Sequence, residues 1–83
     1  MQQQEVMARL QEVFDSVFLQ NVEVRRELSA NDVEEWDSLT HVSLVLAVEQ
    51  AFGIRFRVGE VESTKNVGDL ADLIIKRLSQ RAR

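Results

Sequence analysis

Cysteine is absent from this 83-residue chain, and so are proline and tyrosine. Without cysteine there is no disulfide, no thiolate chemistry and no Cys-based metal site. Glycine is scarce: Gly53, Gly59 and Gly68 are the three, all in the second half. Helix boundaries in the first half must therefore come from caps and hydrophobic pattern. Positive charge is in deficit, with 10 Lys and Arg against 14 Asp and Glu and a net charge of -4. That argues against a nucleic-acid binder, which needs a basic face to displace counterions. No apolar run is long enough for a membrane span, and the N-terminus has no signal-peptide pattern. The expected location is the cytoplasm, and the opening Met1 suits a free-standing protein.

The chain is also short. Its 83 residues fit one domain, 1–83, with no room for a second. Such a domain buries only about 60–65% of its unfolded surface. A core this thin rarely encloses an enzyme's pocket of several hundred Å³. Size thus argues for a carrier, binding or interaction role and against an enzyme.

What is present is a set of amphipathic helices. Val6, Met7, Leu10, Val13, Phe14, Val17 and Phe18 recur at three- and four-residue steps, which predicts a helix from Gln3 to Phe18. From Leu19 to Trp36 the pattern weakens, and Val22, Val24, Leu28 and Val33 are scattered among polar residues. This segment reads as a long ordered loop, a feature that is often functional. A second helix is expected from Asp37-Ser38-Leu39 to Phe52, with Asp37 as N-cap and Gly53 as its stop. Residues 54–58 alternate like a strand but lack an obvious partner, so an extended loop is expected. Residues 59–63 suit one helical turn. Asn66 is a cap for a last helix from Val67 to Arg81, whose stripe is Val67, Leu70, Ala71, Ile74 and Leu78. The fold class is all-α: a small bundle of three main helices plus a short third helix, with a long loop between the first two.

The second predicted helix is unusual in being apolar on two sides. Leu44, Val48 and Phe52 make one stripe, widened by Val45; Leu39, Val42 and Leu46 make another. At about 100° per residue these lie on nearly opposite sides. A thin bundle rarely buries both, so one stripe is expected at least partly exposed, as a partner surface.

Asp37-Ser38-Leu39, then the apolar helix Val42 to Val48, then Glu49 and Phe52-Gly53-Ile54, resembles the acyl carrier protein family. Residues 29–36 resemble that family's approach to its modified serine, and Val67-Gly68-Asp69-Leu70 the start of its last helix. The likeness spans roughly Leu10 to Leu78. It implies that a phosphopantetheinyl transferase moves 4'-phosphopantetheine from coenzyme A onto Ser38, with Asp37 helping to position that reaction. The arm's thiol would hold acyl groups, of a fatty acid or polyketide kind, as thioesters. The chain would be a monomer with no metal and no catalytic residues, served by acyl-loading ligase or synthase enzymes. Leu39, Val42, Leu46 and Glu49 become the partner-binding residues. Thr40 and Ser43 stand where fatty-acid-synthesis members usually carry acids, and Trp36 where a glycine is often found. These departures point to a dedicated pathway.

Ser38 also makes sense at a helix start, where free amides and the dipole favour a phosphate. Other constellations weigh less. Asp37, Ser38 and His41 share one helical turn, but a triad needs an oxyanion hole and a cleft that no pattern shows. Asp32, Glu34, Glu35 and Asp37 crowd together without the glycine a calcium loop needs, so a solvated acidic loop is the expectation. Lys76, Arg77, Arg81 and Arg83 complement a helix C-terminus. Two other readings stay open at this level: a helical interaction module with no prosthetic group, and an aminoacyl or peptidyl carrier.

Overall fold

The computed structural model describes residues 2–57 and 59–81. Three α-helices carry the structure: α1 (Gln3–Val17), α2 (Ser38–Phe52) and α3 (Val67–Arg81), with a 3-10 turn at Ala30–Asp32 inside the long loop between α1 and α2. Among the described residues there is no strand. Val58, Arg83 and Met1 lie outside the described residues.

Each helix is where its pattern put it. The α1 stripe turns Val6, Leu10, Val13 and Phe14 into the core, with Phe18 following just past the helix end. On α3, Val67, Leu70, Ala71 and Ile74 are buried against it. α1 packs against both other helices. Caps set the boundaries: Asn66 Oδ1 accepts from the Asp69 N–H at 2.9 Å, and Gly53 ends α2 in the left-handed region at φ 65°. That conformation strains any residue with a Cβ and is free for glycine.

The α1–α2 loop is ordered by apolar pins and by borrowed hydrogen bonds. Val22, Leu28 and Val33 are each 5% exposed or less. The Gln11 amide on α1 holds the loop at two points, donating to the Val22 carbonyl at 2.7 Å and accepting from the Val24 N–H at 2.9 Å. Further on, the Val67 and Gly68 N–H groups donate to the Leu28 and Arg26 carbonyls at 2.8 and 2.9 Å. The loop thus satisfies amides at the start of α3 that the helix itself leaves unpaired. Arg26 also forks onto Asp72 at 3.1 and 3.3 Å, lying over the face that Gly68 keeps low.

Beyond α2, Ile54 points in and Phe56 is half-buried, while Arg55 and Arg57 face out. This is the expected alternation of an extended loop. Residues 59–63 form consecutive turns closed by Ser63 N–H to Glu60 and Thr64 N–H to Val61 carbonyls. They supply a turn of chain without becoming a regular helix; the short helical element lies instead at Ala30–Asp32.

Candidate functional site

Ser38 opens α2 and is exposed, as are its neighbours Asp37 and Leu39. Asp37 is the N-cap: its Oδ1 accepts from the Thr40 N–H and the Thr40 hydroxyl, both at 2.9 Å. These bonds, the backbone one foremost, hold the Asp37 carboxyl below the usual carboxylate range. The cap thus fixes the helix start with Asp37 alone, leaving the Ser38 side chain outside that bonding and open to solvent.

Around Ser38 the acids are not merely solvated. Asp32 accepts from the Ser29 N–H and hydroxyl. Glu35 accepts from the Leu19 and Gln20 N–H groups at 3.1 and 2.6 Å, tying the end of α1 to the approach to Ser38. Of the four clustered acids, three therefore act as backbone caps. Charge counting along the sequence missed this because the donors to Glu35 lie fifteen and sixteen residues away.

Trp36 and His41 form a pair beside the site. The indole Nε1–H donates to His41 Nδ1 at 3.1 Å, with the rings stacked at 6.3 Å. The hydrogen-bonding atoms that a triad needs are engaged elsewhere: His41 Nδ1 with Trp36, Asp37 Oδ1 with Thr40. Behind the pair is a cavity of about 210 Å³ whose apolar walls include Leu44, Val48, Val61 and Leu70.

The two stripes of α2 separate as expected. Leu44, Val48 and Phe52 are buried, while Leu39 is 82%, Val42 56% and Leu46 54% exposed. Glu49, at the far end of the exposed stripe, is half-buried, and its carboxylate accepts from the Phe56 N–H at 2.9 Å. It anchors the loop after α2, a structural task that the sequence pattern did not reveal.

No family model matches the chain. The chain is 36% identical over 72 residues to an acyl carrier protein of Acidothermus cellulolyticus, covering 86% of each chain. It is 31% identical to that of Coprothermobacter proteolyticus over 89% of this chain and 92% of the relative, and 30% identical to that of Rubrobacter xylanophilus over 92% and 95%. The chain belongs to the acyl carrier protein family. The solution structure of the holo acyl carrier protein from Geobacter metallireducens superposes with a TM-score of 0.76 at 39% identity, over 96% of this chain and 88% of that one. An acyl carrier protein carries acyl groups for the enzymes that handle them. Neither an interaction module without a prosthetic group nor an aminoacyl or peptidyl carrier is favoured beside this. Among the described residues no helix is long and apolar enough to cross a membrane.

Proposed function

We propose that Ser38 is the attachment point of 4'-phosphopantetheine, the covalent cofactor of this carrier family. The observation that carries the reading is an exposed hydroxyl at the first residue of a 15-residue helix whose cap is a different side chain. The start of a helix favours an anion through its free amides and dipole, so a phosphodiester at Ser38 is stabilised where it sits. Asp37 holds that helix start in register for the transferase. Once attached, the group's terminal thiol holds acyl chains as thioesters. The exposed Leu39, Val42 and Leu46 suit a docking ridge for the transferase and for acyl-loading ligases or synthases, with Glu49 at its end.

In this reading the 83 residues are one carrier domain, monomeric and cytoplasmic, sharing the compartment of its coenzyme A donor. The chain serves a dedicated biosynthetic pathway and supplies no catalysis of its own; the chemistry belongs to its partners. The test is an intact mass after incubation with coenzyme A and a broad-specificity transferase. One phosphopantetheine is expected on the wild type and none on Ser38→Ala, whose circular dichroism should match the wild type. A folded wild type that gains nothing would overturn the assignment.

A further inference from the structure

Two hollows meet at Trp36 and His41. One is a depression at Ser38, lined by Ala30, Trp36, Asp37, Ser38 and His41. The other is the cavity of about 210 Å³ beneath α2. Ala30, Trp36 and His41 line both, so the short way from Ser38 into the cavity runs past them.

The two aromatic residues are held differently. Trp36 is fixed from behind, edge-on to Phe14 at 5.5 Å and tilted against Phe18 at 5.8 Å. Both phenylalanines are core residues. His41 is half-buried, one turn beyond Ser38 on α2. It is tied to Trp36 by stacking and by one hydrogen bond into Nδ1. An imidazole nitrogen accepts only while it is unprotonated and turned towards its donor. The pair is thus one fixed wall and one leaf on a single latch.

We propose that His41, latched to Trp36, is the gate that an apolar acyl chain borne on Ser38 displaces to enter the cavity. The proposal rests on Ser38 bearing the arm. The occupant follows from the walls, since Leu44, Val48, Val61 and Leu70 are buried hydrocarbon, and from the tether at the cavity's entrance. A chain inside leaves the latch broken, so the latch opposes entry. One hydrogen bond of this kind weights that equilibrium by about two- to tenfold. A two-carbon acyl group has too little hydrocarbon to gain much from those walls.

The test loads wild type, His41→Ala, His41→Asn and Trp36→Phe with acetyl or octanoyl phosphopantetheine from the matching acyl-coenzyme A. Intact mass verifies the load, and thioester cleavage by hydroxylamine reads shielding of the cargo. The octanoyl thioester should be shielded in the wild type relative to acetyl. His41→Ala and Trp36→Phe should each deepen octanoyl shielding by about two- to tenfold, and the double variant no further. His41→Asn, which keeps an acceptor where Nδ1 was, should stay near wild type. Trp36 is the chain's sole tryptophan, so its emission should change on octanoyl loading and not on acetyl loading. A loaded arm with octanoyl cleavage unchanged across these variants, or emission indifferent to chain length, overturns the gate alone. A wild type that never accepts the arm overturns the Ser38 assignment and the gate with it.

Discussion

Helices α2 and α3 have the same length, 15 residues each, and each begins at an Asx cap, yet they are built to different ends. α3 sorts its side chains cleanly, with Val67, Leu70, Ala71 and Ile74 buried and Asp72 and Lys76 outside. α2 buries Leu44, Val48 and Phe52 but also leaves Leu39, Val42 and Leu46 in solvent. Burial alone explains every apolar residue of α3. On α2 it leaves Leu39, Val42 and Leu46 unexplained, and these three are the ones proposed as a docking ridge. The lesson is that a helix's total hydrophobicity says little about its role until its two sides are counted separately.

Substitution can break that contrast. The largest effect is expected at Leu44→Ala, where a side chain 1% exposed leaves a cavity worth about 2–5 kcal/mol. Urea unfolding should show the midpoint falling steeply, since that is a large share of a small domain's stability. Gln11→Ala should cost about 1–3 kcal/mol, because it orphans the Val22 carbonyl and the Val24 N–H together. Amide exchange at Val24 should quicken in that variant, with α2 left protected.

Acid sharpens the comparison at the cap. The Asp37 carboxyl is held below its ordinary value by the Thr40 donors. Its contribution is fully present above the ordinary carboxylate range and is lost as the pH falls through the lowered folded value. Protection of the Thr40 amide relative to its intrinsic exchange rate, followed by NMR down the acid range, should persist through the ordinary carboxylate range and be lost only below it. In Asp37→Asn that acid dependence should flatten. The smallest effect on stability belongs to Leu46→Ala, within about 0.5 kcal/mol of wild type, while its affinity for a loading enzyme should fall measurably in a binding titration.

Much of this architecture is written locally. Asp37, Gly53 and Asn66 are caps that act on neighbours three to five residues away, so the bounds of α2 and the start of α3 could be read from the chain. The exposure of Ser38 was legible for the same reason, since it stands just inside a capped helix start; the attachment proposed for it rests on the resemblance carried by Asp37-Ser38-Leu39. The order of the 19–36 loop was legible only as apolar pins at Val22, Leu28 and Val33. Its polar ties to Gln11, Glu35 and the amides of Val67 and Gly68 join residues 11 to 42 positions apart, beyond any periodic pattern. Glu49 shows the same limit. Its charge suggested a meeting with a partner, but its bond to the Phe56 N–H needed the fold of the 54–57 segment to be seen. Trp36 and His41 sit five residues apart, close enough to meet, but nothing in the spacing said which would donate.

The exposed ridge from Leu39 to Leu46 spans seven helical steps, about 10 Å along the axis. Three side chains over that length can hide little surface, far less than long-lived complexes require. With that ridge as the proposed docking surface, each visit to an enzyme should be brief. For a shuttle that must leave one workstation to reach the next, rapid departure is worth more than a firm grip.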